Sequence, residues 1–363
     1  MEPTLEVDED IRRAWTIPSA VYTDPVYFAR ARERIFARCW HFLTDADRLK
    51  TPGHLLPCTL LEGCLDEPLL LTRDAHDQLH CLANICTHRG NLLVEGEGNA
   101  TALRCRYHGR RFALDGRFLS MPEFEDARDF PSAADDLPRV PLARWDKFLF
   151  AAIDPAFSFD EWLGPLRARL AWLPLGDFLF DPAHSRDYLV RANWALYCDN
   201  YLEGFHIPYV HAALNQALDY GAYRTELFAL CNLQLGIAAG GEEAFDLPPA
   251  SPDYGQRVAA YYFWLFPNLM LNFYPWGLSV NIVQPLAVDR TRVSFLTYVW
   301  DHARFARGGN PIAAIDRVER EDEDIVERVQ QGVRSRFYDR GRYSPRRESG
   351  VHHFHRLLAR FLA

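Results

Sequence analysis

The chain has 363 residues, of which 48% are hydrophobic and 25% charged, and a formal net charge of −9. Such a length and balance fit a globular protein of roughly two domains with a sizeable core, and exclude fibrous or low-complexity classes. The acidic charge argues against nucleic acid, no run approaches the eighteen or so apolar residues of a membrane span, and the polar start Met1-Glu2-Pro3-Thr4 is no secretory signal, so a cytoplasmic location is expected.

In chain order, Val26, Phe28, Ile35 and Phe36 recur at helical spacing within residues 24–40. Residues 1–40 are therefore expected to be an N-terminal helical segment packed on the C-terminal domain. From 41 to 155, short apolar runs such as residues 69–72 and 147–153 are broken by Gly, Pro and Asp, the pattern of a small antiparallel β domain. Residues 156–363 are expected to form a second domain. There, aromatic and β-branched segments between 261 and 300 are punctuated by Pro267-Asn268, Pro275-Trp276-Gly277 and Asp289-Arg290, as in antiparallel strands joined by short turns. Asn310 as N-cap and Pro311 at the first position predict a long helix to about Arg334. The mixture is α+β.

The β domain carries Cys86-Thr87-His88 and, after sixteen intervening residues, Cys105-Arg106-Tyr107-His108. Zinc sites usually present like ligands in C-x2-4-C or H-x3-5-H units, because one tetrahedral ion collects both members of each. Here each unit mixes one Cys with one His. A Rieske [2Fe–2S] cluster needs that mixture, two sulfurs on one iron and two nitrogens on the other. Spacing favours the cluster and leaves zinc as the alternative. Gly90 and Gly109 suit tight loops after each pair. The other six of the eight cysteines, Cys39, Cys58, Cys64, Cys81, Cys198 and Cys231, are scattered and expected to be reduced and mostly buried.

A second constellation is the stretch from Asp199 to His211. His206 and His211 would diverge by about 140° on an unbroken helix. Pro208 between them breaks such a helix, so that His211 can turn back toward His206. Two imidazoles and one carboxylate make the facial triad of non-haem Fe(II) oxygenases. For the carboxylate, Ile315, Val318, Ile325, Val326, Val329 and Val333 form a stripe on the long helix with Asp322 at its centre. A lone buried carboxylate is costly unless paired or ligating, so Asp322 is the preferred third ligand and Glu319, at the stripe's edge, the fallback. Asp316 and Asp324 read as solvated charges. Glu203, expected one helical turn before His206, is placed to hold that imidazole's tautomer.

The sequences Cys86-Thr87-His88-Arg89-Gly90 and Cys105-Arg106-Tyr107-His108-Gly109 resemble the Rieske fingerprint of the ring-hydroxylating oxygenase family, with Arg110 where that family commonly has Trp. The stretch from Asp199 to His211 resembles its iron-binding helix. Glu321-Asp322, with Glu327 and Gln330, resembles the segment holding its aspartate ligand. The resemblance spans about residues 40–350. It implies a small antiparallel β Rieske domain joined to a helix-grip catalytic domain, with Cys86, His88, Cys105 and His108 on the cluster and His206, His211 and Asp322 on a mononuclear Fe(II). It also implies that Glu203 bridges His206 to a neighbouring subunit's His108 in a ring-shaped trimer, with Tyr201 a candidate support of the same path. Glu203, where ring-hydroxylating dioxygenases generally carry Asp, is most similar to the branch containing choline and carnitine monooxygenases.

No convincing dinucleotide-binding unit or plant-type cluster motif is present, so a separate flavin or iron–sulfur reductase is expected to supply electrons from NAD(P)H. Arg106, Arg110 and Arg111 offer a basic contact for it. The favoured reading is the terminal oxygenase component of a Rieske system that hydroxylates or N-demethylates a quaternary or N-methyl ammonium compound, with Tyr261, Tyr262, Phe263, Trp264, Phe273, Tyr274 and Trp276 as candidate cage residues, most of them expected to be sheet core. The alternatives are an aromatic-ring dioxygenase α subunit and, from another class, a non-catalytic iron–sulfur electron-transfer or sensor protein. His352, His353 and His355 are read as packing residues of a terminal helix.

Overall fold

The computed structural model describes residues 5–217, 219–307 and 311–363, in two compact units. Asn310, the expected cap of the long helix, lies outside the described residues. One unit comprises 37–156, the other 1–36 with 157–363. The architecture is α+β, and among the described residues no helix is long and apolar enough to cross a membrane.

The unit 37–156 is built from short antiparallel strands. His41–Asp45, Phe148–Ala151 and Leu142–Trp145 form one sheet in that order, and Leu79–Ala83, Glu67–Arg73, His54–Leu60 and Gly98–Asn99 form another. Leu103–Arg104, Arg111–Phe112 and Phe118–Ser120 make a third. Burial of Leu55, Leu70, Leu82, Leu103 and Phe112 forms a core into which the Cys86 and Cys105 side chains also project.

The other unit is dominated by a seven-stranded antiparallel sheet in the order Leu179–Val190, Arg290–Val299, Gly277–Ala287, Leu269–Tyr274, Val258–Leu265, Cys231–Ile237 and Arg224–Leu227. Period-two alternation decides which aromatics reach its two faces. Tyr261, Phe263 and Phe273 are fully buried on one face, while Tyr262 and Tyr274 line a cavity on the other. Trp264 shares the face of Tyr262 but lies against Phe354 of the terminal helix Ser349–Leu362, with ring centroids 5.1 Å apart. Four of the seven candidate cage residues are thus core.

The N-terminal helix is shorter than expected. It runs Pro25–Arg34, capped by Asp24, whose side chain accepts from the Val26 N–H. Val26 faces solvent, and Ile35 and Phe36 are buried beyond the helix end, so the 3.6-residue period does not connect them. Arg30 and Arg34 donate to the Leu362 carbonyl, tying this helix to the terminal one.

The long helix Pro311–Gly332 corrects the expected stripe. Val329 is 43% exposed, whereas Glu319 and Gln330 are 3% and 1% exposed. Each of these buried polar side chains makes one bond and leaves its other polar atom unpartnered: Tyr197 Oη donates to Glu319 Oε2 at 2.6 Å, and the Asn193 N–H donates to Gln330 Oε1 at 2.7 Å. Asp316 is not simply solvated either, since it accepts from the Tyr188 hydroxyl at 2.7 Å. Asp324 is exposed and pairs with Arg328.

Candidate metal centres and active site

The two Cys/His loops share one backbone geometry. In each, the Cys carbonyl accepts from the glycine four residues on (Gly90 at 2.9 Å, Gly109 at 3.0 Å), and the Cys N–H donates to the carbonyl five residues on, Asn91 or Arg110, at 2.8 Å. Closing that turn puts Gly90 at φ +67° and Gly109 at φ +78°, where a Cβ is strained. The imidazole centroids of His88 and His108 lie 4.7 Å apart, and both Nδ1 atoms are buried with no hydrogen-bond partner. Burial, then the neighbouring His108, Arg89 and Arg110, hold His88 below its ordinary pKa, favouring the neutral form a metal requires. Cys86 and Cys105 are buried, with their thiols within hydrogen-bonding reach. Two adjacent sulfurs and two orphaned nitrogens fit a cluster with unlike irons.

Arg110 does not offer itself to a partner. Its side chain is 2% exposed, bonds Asp135 Oδ1 at 2.7 Å, and lies 5.0 Å from the Phe118 ring centroid and 5.6 Å from those of Phe112 and Phe130. A guanidinium is tolerated here because an anion and three ring faces replace its water. Arg106 and Arg111 remain exposed. Arg110→Met is expected to cost about 3 kcal/mol of stability, read by denaturant unfolding followed through cluster absorption.

In the other unit, Asn193 caps the helix Trp194–Tyr201 by accepting from the Ala195 N–H. That helix ends at Tyr201, so Glu203 and His206 stand in a bend rather than one helical turn apart, as expected from sequence. The bend passes close to Tyr223, whose ring would lie 2.8 Å from any Cβ at position 204, which accounts for Gly204. Pro208 starts the single turn Ile207–Val210, and His211 leaves helical geometry at φ −111°, ψ 78°.

This path brings His206 and His211 together, with ring centroids 5.0 Å apart. Asp322 Oδ1 lies 3.0 Å from His211 Nε2 and 3.5 Å from His206 Nε2. Among the described residues, these three form the group whose ligand atoms all fall within 4.8 Å of one another. Each Nδ1 faces a carboxylate at 2.7 Å, Glu203 Oε1 for His206 and Glu321 Oε2 for His211. Those bonds keep the proton on Nδ1 and leave each Nε2 lone pair facing Asp322. Burial opposes charge on His211, but Asp322 and Glu321 outweigh it and raise its pKa. Asn200 Nδ2 fixes Asp322 by donating to Oδ1 at 2.7 Å. The donor set suits an octahedral ion with open positions.

Sequence reasoning missed Glu321 and Asn200 as orienting groups, because their partners, His211 and Asp322, lie more than a hundred positions away and are met only through packing. Glu319, the fallback ligand, is outside the triad; burial, then the nearby Asp322 and Glu323, push its carboxyl well above the ordinary range despite the Tyr197 bond. Tyr201 lines the same cavity and donates to Asn272 Oδ1 at 2.6 Å. The His cluster near the C-terminus is packing: His352 bonds the Asp8 carbonyl, and His355 bonds Asp199, Tyr22 and Tyr343.

The triad opens on a cavity of about 430 Å³ whose wall includes Tyr262, Tyr274, Trp276, Asn272 and Asn281. Tyr274 and Trp276 stack at 5.1 Å and 9°, and Tyr262 meets Tyr274 edge-on at 6.0 Å.

Comparison with known proteins agrees with these two centres. The ring hydroxylating alpha subunit (catalytic domain) family matches residues 179–363, and the Rieske [2Fe-2S] domain matches residues 39–131. Chloroplastic choline monooxygenase of Arabidopsis thaliana is 30% identical, over 96% of this chain and 83% of its own. The carnitine monooxygenase oxygenase subunit of Escherichia coli (strain K12) is also 30% identical, over 96% and 94%. A solved quaternary ammonium Rieske monooxygenase shares the fold, with a TM-score of 0.80 at 23% identity, covering 99% of this chain and all of the other. The chain belongs to the ring-hydroxylating α subunits: it is a Rieske-type oxygenase, an enzyme of a [2Fe–2S] cluster and a mononuclear iron.

Proposed function

We propose that this oxygenase hydroxylates or N-demethylates a quaternary or N-methyl ammonium compound. The observation that carries the reading is the aromatic wall of Tyr262, Tyr274 and Trp276 on the cavity that also holds His206, His211 and Asp322. Ring faces attract a desolvated ammonium, worth about 2 kcal/mol when water is excluded. Glu203, Glu321 and Asp322 on the same wall add negative potential. The choline and carnitine monooxygenases among the relatives support the same substrate class.

In this reading Cys86, His88, Cys105 and His108 hold the cluster, and His206, His211 and Asp322 hold the iron. The cluster supplies electrons singly, and the iron supplies the open positions at which O2 is activated. Glu203 and Glu321 keep the Nδ1 protons of the two histidines. Asn200 holds Asp322 in place, and the aromatic wall excludes water from the reacting carbon. Glu203 also connects His206 to His108 of the partner subunit in a homotrimer; the solved relative described in terms of inter-subunit electron transfer supports this step. A separate NAD(P)H-dependent reductase delivers the electrons, with the exposed Arg106 and Arg111 at its contact.

The test is coupled turnover with a reductase and NADH. Quaternary amines are expected to give hydroxylated or dealkylated product in step with NADH consumption. If aromatic acids give coupled product and no ammonium compound does, the dioxygenase alternative replaces this reading.

A further inference from the structure

Two asparagines on the cavity wall each have the amide oxygen engaged by a hydroxyl and the N–H groups unpaired among the described residues. Tyr201 Oη and Asn272 Oδ1 lie 2.6 Å apart, as do Ser279 Oγ and Asn281 Oδ1. That distance belongs to O–H···O bonds and is shorter than amide N–H···O bonds usually run, so it assigns the oxygen of each amide to the hydroxyl. Burial, then the neighbouring Tyr223, Tyr274 and Tyr262, push the Tyr201 pKa well above its ordinary value, so the phenol keeps its proton to donate. Each amide is then left with Nδ2, which no described residue accepts from. Asn272 is 5% and Asn281 3% exposed, and both line the cavity.

Strand register places the two donors together. Asn272 pairs with Ser279, and Asn281 lies two residues further along the same strand, so the amides are diagonal neighbours on one face, with Cα atoms about 7–8 Å apart. Tyr262 is directly opposite Asn272 on the next strand, and Tyr274 follows two residues later on the same face. The sheet therefore presents a pair of neutral N–H donors flanked by the aromatic wall.

We infer that Asn272 and Asn281 form a carboxylate subsite, so that the preferred substrate is zwitterionic, an ammonium group joined to a carboxylate. This rests on the ammonium reading above. Two N–H donors side by side suit a carboxylate, which offers two accepting oxygens; an alcohol offers one and satisfies the pair less well. Neutral donors also avoid pairing with Glu203, Glu321 and Asp322, which would neutralise a cationic side chain placed on this wall.

The experiment compares an ammonium carboxylate with its matched ammonium alcohol on the holoenzyme. Binding is measured by calorimetry and kcat/KM by coupled turnover, in the wild type and in Asn272→Asp and Asn281→Asp. Each substitution keeps the oxygen that accepts from the hydroxyl and replaces the donor with an acceptor. The wild type is expected to prefer the acid by at least roughly tenfold, and each variant to bring that ratio near one. Equal use of acid and alcohol, or a preference that survives both substitutions, overturns the subsite and leaves the ammonium reading standing. Failure of the wild type to bind either compound overturns both. The wild-type comparison decides the matter even if a variant does not fold.

Discussion

Asp322→Ala is expected to lower iron from about three atoms per chain to about two, to leave the Rieske electron paramagnetic resonance signal intact, and to take product formation to background. The reason is local. Asp322 Oδ1 is the oxygen toward which both Nε2 atoms are held, and Asn200 orients it. Without it, two imidazoles remain, a poor site for a hard divalent ion. The change lies on the helix Pro311–Gly332, whose Glu319–Tyr197, Glu327–Arg191 and Gln330–Asn193 bonds are untouched, so the thermal midpoint should move by only a few degrees. Metal analysis with spectroscopy on anaerobically purified protein reads the result. Retention of all the iron would remove Asp322 from the ligand set, and loss of the cluster signal would show general unfolding instead.

Glu203→Ala tests a different dependence. It is expected to keep both metal centres and to slow re-oxidation of the pre-reduced cluster, in the presence of substrate and O2, by about a hundredfold. Glu203 Oε1 meets His206 Nδ1 at 2.7 Å, while Oε2 accepts from the His206 N–H at 3.1 Å and from the Phe205 N–H. The carboxylate therefore both orients the ligand imidazole and braces the bend that carries it. Glu203→Gln separates these tasks: an amide of the same length can still bond the bend, but not with the carboxylate's charge. If Gln keeps the iron content but does not restore the re-oxidation rate, charge and connection to the cluster matter. Iron loss in Glu203→Ala, repaired together with turnover by Gln, would reduce Glu203 to a brace.

Local features of the sequence were legible where chemistry demanded a particular residue at a particular spacing. The mixed C-x-H and C-x-x-H units distinguish a two-iron donor set from a one-ion site, and Gly90 and Gly109 mark the turns that close them. Pro208 signals that His206 and His211 need not diverge. Alternation and turn residues mark the strands between 258 and 299, and the apolar period marks the long helix. Periodicity was less informative wherever a polar group is buried with a partner. Glu319 and Gln330 occupy the inner face because Tyr197 and Asn193 receive them, and Val329 is correspondingly turned to solvent. The same limit applies to Arg110, whose burial depends on Asp135 and three phenylalanine rings distant in sequence.

Sequence by itself determines the class of this protein: the ligand types, their spacing and the element order specify a cluster domain and an oxygenase domain. Tertiary structure alone decides the environment of those ligands. Glu321 reaches His211 across 110 positions of chain, Asn200 reaches Asp322 across 122, and Asn272 and Asn281 become neighbours only through strand register. Spacing encodes contacts made within a few residues, because the backbone's geometry is repetitive there. Hydrogen-bond partners that meet through packing have no fixed separation, and so leave no period to read.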